Sequence, residues 1–305
     1  MALILGFALP GTQAGTAARQ LFLSPGRVLG YIAGVYLEFY GLKEPPFELT
    51  PNPRFLFFSP KHREAFNHLL YGIRERKGFV QLTGEVGAGK TTICRAMLKE
   101  LGDQYATALV LNPTLDADEL VHAIALEFGL NTEHLGRFGT LSALNQFLID
   151  LLYQGKDAVL VIDEAQGLTE PLLEQVRLLS NLETDDRKLL QIVLMGQPEL
   201  RQRLDGPQLC QLRQRITVRF HLRALQHREL WPYIQHRLRV AGANSQPAFT
   251  LGALWWIYHY TKGIPRLVNA VCDKCLLAGY VHKQLKIDHR LARLAVRELE
   301  GEVLT

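Results

Sequence analysis

The segment GEVGAGKT, Gly84 to Thr91, constrains this chain more than any other stretch of its sequence. It fits G-x-x-x-x-G-K-[ST]. The glycines let a loop wrap closely round an anion with its backbone N–H groups pointing inward, and the helix that follows presents its N-terminus to the same charge. Lys90 is then placed to reach the β- and γ-phosphates of ATP, and Thr91 to bind Mg2+. The segment follows the apolar run Phe79–Thr83 and precedes a helical pattern over Thr91–Leu101, which is the strand, bend and helix order that phosphate binding needs. The predicted nucleotide contacts are Gly84, Glu85, Val86, Gly87, Ala88, Gly89, Lys90, Thr91 and Thr92.

Strands and helices alternate after that loop. Strand candidates are Phe79–Thr83, Thr107–Asn112, Ala158–Asp163, Leu190–Gly196 and Thr217–Leu222; helix candidates between them are Thr91–Leu101, Ala117–Phe128, Thr140–Gln154, Pro171–Leu182 and a short Glu199–Leu204. Alternation with Val-, Leu- and Ile-rich strands implies an α/β fold whose parallel sheet is covered on both faces. From Arg228 onward only helical patterns are expected: Glu229–Ala241, Leu251–Thr261, Pro265–His282 and His289–Leu299. The expected organisation is an α/β nucleotide-binding domain with its lead-in over 35–224 and a small helical domain over 225–305. The lead-in YGLKEPPFELTPNPRFLFFSP is expected to be extended, because each X-Pro step disfavours helix, with Ser59 and Pro60 as N-cap and first helical position. Residues 1–34 show no periodicity, and the expectation there is an over-extended reading frame with Val35 as the natural initiator, the alternative being a poorly ordered arm with an interfacial role.

Bulk properties exclude rather than identify. A net charge of +4 over 305 residues makes no case for nucleic-acid binding, and the arginine and histidine crowding between Arg213 and Arg239 reads as a solvated helix face. Cys272 and Cys275 fall inside an apolar helical pattern, so they read as core thiols rather than metal ligands or a redox pair. No apolar run reaches the length of a membrane span.

Four further sites complete the chemistry. In DAVLVIDEAQGL, Ala158–Ile162 deliver Asp163 to the C-terminal end of a strand, where ligands sit in open α/β sheets. Asp163 is placed to hold Mg2+ and Glu164 to polarise an attacking water. LLQIVLMGQPEL ends a second buried strand at Gln197, whose amide suits the γ-phosphate or the lytic water, the alternative being a plain loop residue. QLRQRITVRF carries Arg213 and Arg215 on the far side of the domain from their own phosphate loop, so either one reaches nucleotide only in a neighbouring subunit. Arg215 is favoured because it directly precedes the strand, and a structural role for both stays open. In TKGIPRLVN, Arg266 sits in a helix's first turn against the dipole and calls for an anion such as a nucleotide phosphate.

Together these motifs resemble the AAA+ ATPases. The resemblance implies a five-stranded sheet in the order 5-1-4-3-2, a helical lid that closes over nucleotide, and homo-oligomeric rings with shared sites. The segments FYGLKEPPFELTPNPRFLFFSPKHREAF, GFVQLTGEVGAGKTT, LVIDEAQ, LMGQPEL and KGIPRLVN are similar to the general secretion pathway protein A (ExeA) family, over about Tyr36 to Glu300. They are also similar to its relative in MSHA type IV pilus biogenesis, MshM. That resemblance implies a cytoplasmic ATPase working for a pilus or secretion machine, reaching the inner membrane through partner proteins. Relatives continue into a membrane span and a wall-binding domain; the short remainder here leads to the expectation of the pilus relative. A DNA-transposition helper is the alternative class.

Overall fold

Side chains alternate across the central strands, and the structure, a computed structural model, shows where the two sets go. It describes residues 36–111, 116–183, 187–244 and 247–301; the expectations for residues 1–34, Val35 and Asn112 lie outside these. Five parallel strands form the sheet: β1 (Phe79–Gly84), β2 (Tyr105–Val110), β3 (Asp157–Ile162), β4 (Leu190–Gly196) and β5 (Ile216–Leu222). Their spatial order is β2-β3-β4-β1-β5, which read from the other edge is the expected 5-1-4-3-2.

One face of the sheet, through Val80, Leu82, Val159, Val161, Val193 and Met195, packs on α1 (Pro60–Arg74) and α2 (Lys90–Leu101). The other face, through Phe79, Leu160, Ile162, Ile192 and Leu194, packs on α3 (Ala117–Glu127), α4 (Arg137–Tyr153) and α5 (Glu170–Leu179). Each fully buried side chain of this kind contributes about 1.5–3 kcal/mol, so the sheet is a rigid base for the loops at its edge. Two short helices, α6 (Pro198–Leu204) and α7 (Cys210–Arg215), lie between β4 and β5. Ser59 caps α1 as expected, its hydroxyl accepting from the His62 N–H with Pro60 next in the chain.

Register sets the site. Val161 pairs with Val193, which pairs with Val80, and Ile162 pairs with Leu194, which pairs with Gln81. The ends of β1, β3 and β4 therefore finish at one edge. Asp163, Glu164, Gln197 and the phosphate loop all leave the sheet there.

The C-terminal part contains α8 (His227–Val240), α9 (Leu251–Thr261), α10 (Pro265–Val281) and α11 (His289–Leu299). Two findings correct the expectation here. First, the region is not purely helical: β6 (Ala248–Phe249) and β7 (Lys286–Ile287) form a two-residue parallel ribbon that ties the start of α9 to the start of α11. Strands this short leave no period to read. Second, the lead-in is not uniformly extended. Pro53–Phe55 within it form a 3-10 turn capped by Asn52, and residues 36–40, which run into its start, are helical. Its apolar residues Tyr36, Tyr40, Leu42, Phe47 and Phe55 enter the same core as Ile234, Ile257, Val271 and Leu276 of the C-terminal helices. Cys272 and Cys275 are fully buried in that core, within α10, and burial pushes both thiols well above their ordinary range, as a packing role requires.

Candidate active site

Glycine geometry shapes the phosphate loop. Gly87 and Gly89 adopt φ of +78° and +100°, values that side-chain-bearing residues rarely hold. A Cβ on Gly87 would also approach the Cβ of Arg266 to 2.5 Å. Lys90, only 5% exposed, donates to the carbonyls of Gly84 at 2.8 Å and Glu85 at 3.1 Å. An ammonium has three N–H donors, so one is left for a phosphate oxygen. Burial pushes the Lys90 pKa down, against the pull of Glu164, Asp163, Glu85 and Glu199. Below the loop, His62 is buried between Ser59 Oγ at 2.7 Å and the Ala88 carbonyl at 3.1 Å. A carbonyl only accepts, so Nε2 carries the proton and Nδ1 accepts from the serine hydroxyl. Burial lowers the His62 pKa and keeps the ring in this neutral form.

Thr91 Oγ donates to Asp163 Oδ2 at 2.6 Å. Asp163 is 3% exposed, and its other oxygen accepts from the Glu164 N–H at 2.9 Å. A hydroxyl and a carboxylate meeting at one point are hard oxygen donors, the set that suits Mg2+.

Glu164 has a left-handed backbone, φ +52°, a costly conformation for a residue with a side chain. It turns the chain off β3 into the cleft. Its Oε2 accepts from Gln166 Nε2 at 2.5 Å and from Gln197 Nε2 at 3.1 Å. Gln166 in turn accepts from the Gln197 N–H at 3.0 Å through its Oε1. Gly196 leaves room for this bridge, since a Cβ there would come within 2.7 Å of the Gln166 oxygen. Burial works to raise the Glu164 pKa, but the two amide donors and Lys90 outweigh it, so the group sits below its ordinary value and is an anion at neutral pH. Gln166 was not among the predicted site residues. It lies in the same LVIDEAQ segment, but its role depends on the strand end that it meets.

Arg266 occupies the first turn of α10 and is exposed to the cleft. Its backbone N–H donates to the Gly87 carbonyl at 3.2 Å, so the lid touches the loop directly. The entry to that helix is tight: Gly263 has φ +78°, and a Cβ there would collide with the Leu225 carbonyl. The cleft between loop, lid and lead-in has a cavity volume of about 180 Å3 and opens to solvent. Phosphate loop, Glu164, Arg266 and residues 48–52 and 55–57 all line it.

Arg213 and Arg215 are not in this cleft. They precede β5, which runs parallel to β1, and so lie at the opposite end of the sheet from the loop. Strands of six or seven residues separate the ends by about 20 Å. Arg215 is half-buried and its guanidinium donates to Ser180 Oγ and Asn181 Oδ1, both at 2.6 Å. Arg213 is exposed and makes one long bond, 3.4 Å, to the Asp205 carbonyl.

Residues 73–204 match a protein family described as AAA domain. The fold is also similar to the ORC2 protein of Aeropyrum pernix solved in ADPNP–ADP complexes, with a TM-score of 0.61 at 17% identity, over 81% of this chain and 68% of that one. This chain has the AAA+ fold. The AAA+ fold extends to Drosophila ORC bound to DNA, with a TM-score of 0.64 at 13% identity, over 98% of this chain and 70% of that one. Among curated proteins, the AAA+ chain is 46% identical over 268 residues to General secretion pathway protein A of Aeromonas hydrophila, an alignment that takes in 88% of this chain. It spans about half, 49%, of that relative. Among the described residues, no helix is long and apolar enough to cross a membrane.

Proposed function

We propose that this AAA+ ATPase drives or regulates assembly of a bacterial envelope machine, a type II secretion system or a type IV pilus such as the MSHA pilus served by MshM. The observation that carries the reading is the 46% identity with General secretion pathway protein A over 268 residues, 88% of this chain. The protein works in the cytoplasm at the inner membrane, held there by partner proteins of the machine. The α/β part and the helical lid meet near Arg223–Leu225.

In the proposed cycle ATP lies in the cleft with its phosphates on the Gly84–Thr92 loop. Thr91 and Asp163 would hold Mg2+, which would supply charge neutralisation at the phosphates. Glu164 accepts a proton from the attacking water. Gln197 and Gln166 hold that carboxylate in place. Arg266 carries the state of the γ-phosphate into the lid, and the lid's contact with Gly87 makes the motion two-way.

A ring or nucleotide-dependent oligomer brings a neighbour's arginine to the same phosphate. Arg213 is the better finger, because Arg215 is already engaged by Ser180 and Asn181. Arg213→Ala is expected to keep ATP affinity and lose turnover about a thousandfold, and mixing it with Lys90→Ala is expected to restore part of the rate. Arg215→Ala is expected mainly to lower the melting temperature. Steady-state ATPase assays on the single and mixed variants check this; unchanged turnover of Arg213→Ala would remove it as the finger.

The envelope role is tested by trapping Glu164→Gln with ATP in the native host and identifying co-purifying proteins. Inner-membrane components of a pilus or secretion system are expected. A transposase, or DNA retained at moderate salt, would establish the DNA-helper class instead.

A further inference from the structure

The nucleotide cleft has a second wall, the lead-in, and one buried cation holds that wall in shape. We propose that Arg237 is a positioning residue for ATP: its guanidinium fastens the lead-in to the lid so that the wall facing the nucleoside half of ATP keeps its form. The inference rests on the ATPase activity alone and is independent of which envelope machine is served.

Arg237 belongs to the basic stretch expected to be a solvated helix face, yet it is 8% exposed. Its Nε donates to the Pro46 carbonyl at 2.5 Å, and its two terminal nitrogens donate to Tyr233 Oη at 3.2 Å and the Glu48 carbonyl at 3.3 Å. The guanidinium also lies 4.9 Å from the centre of the Phe55 ring. Among the described residues it forms no ion pair. A buried charge without a counter-charge is costly, so this arginine is kept for its planar set of donors, which serves two carbonyls and a hydroxyl at once. Those carbonyls lie in a stretch outside any sheet and have no ladder partners. The network closes on itself: Tyr233 donates to Asn269 Oδ1 at 2.7 Å, and Asn269 Nδ2 donates to the same Glu48 carbonyl at 3.4 Å.

The wall is fastened at its other end to the phosphate-binding domain, where Arg95 of α2 donates to the Pro51 carbonyl at 3.1 Å. Lead-in residues 48–52 and 55–57 therefore bridge the lid and the helix that follows the phosphate loop. Arg237, Tyr233 and Asn269 line the cleft together with that wall. With the phosphates on the loop, the base and ribose have only this part of the cleft to occupy. Loosening the wall weakens the grip on the nucleoside and leaves the phosphate chemistry at Glu164 untouched.

The test is steady-state ATPase kinetics of the full chain carrying Arg237→Met or Arg237→Lys, with inhibition by inorganic tripolyphosphate measured alongside. Arg237→Met is expected to raise KM for ATP about tenfold with kcat within about twofold, and to leave the tripolyphosphate inhibition constant unchanged. Arg237→Lys is expected to raise KM nearly as much, because one ammonium cannot span both carbonyls and the ring. A purely structural role predicts a smaller active fraction, seen as lower kcat at unchanged KM, and that result overturns the proposal. So does a lysine variant with parental KM, which settles the matter if the methionine variant fails to fold. Failure of the ATPase reading is distinct, since the parental chain would then show no turnover.

Discussion

Glu164→Gln is expected to bind ATP with near-parental affinity and to hydrolyse it at least about a hundredfold more slowly, the scale for loss of a general base. The substitution keeps shape and removes the charge that accepts the proton. Gln166 and Gln197 donate to Glu164 Oε2, so the new amide must turn its oxygen toward them and its NH2 group toward the water. Binding survives because the contacts expected to the phosphates come from the loop, Lys90 and Arg266. The sign of the pH dependence follows from the same donors. Glu164 has its pKa depressed in the folded chain, so its useful anionic form is present above the ordinary carboxylate range and is lost only as pH falls through the lower folded value. A pH–rate profile is therefore expected to show no acid limb from this group at pH 5 or above. Near-parental turnover of Glu164→Gln would remove Glu164 as the base.

Lys90→Ala is expected to lose ATP binding, with affinity down at least about a hundredfold, the scale for removing a charge-assisted hydrogen bond from a buried, low-dielectric site. Two effects add. The alanine removes the cation that faces the phosphates, and it leaves the Gly84 and Glu85 carbonyls without the donor that holds the loop closed. Because Lys90 is buried, solvent screens neither effect strongly. Titration calorimetry or a fluorescent nucleotide analogue checks this, and retained tight binding would refute the role of the loop.

Much of this site is legible along the chain. The loop Gly84–Thr91 and the pair Asp163–Glu164 are read directly because each is a short run whose geometry depends on its own residues and on the strand just before it. Leu190–Gly196, Leu251–Thr261 and His289–Leu299 appear with the bounds read from periodicity, since their apolar pattern and caps agree. Neither the part played by Gln166 nor the engagement of Arg215 by Ser180 and Asn181 is legible along the chain. Both depend on neighbours distant in sequence: Gln166 on the strand end at Gly196 and Gln197, Arg215 on the end of α5.

By itself the sequence determined the phosphate loop, the acidic pair, the alternating α/β order and the burial of Cys272 and Cys275. These follow from residue type at fixed local spacing, where backbone geometry leaves few choices. Only the tertiary structure decided that the lead-in completes the core of the lid, that Arg237 is buried beneath it, and that Gln166 and Gln197 converge on Glu164. The lead-in contacts join residues about two hundred positions apart, as in the 191-residue separation of Pro46 and Arg237 and the 221-residue separation of Glu48 and Asn269. Local propensity carries no information about such pairings; the packing of a shared core and the register of parallel strands select them.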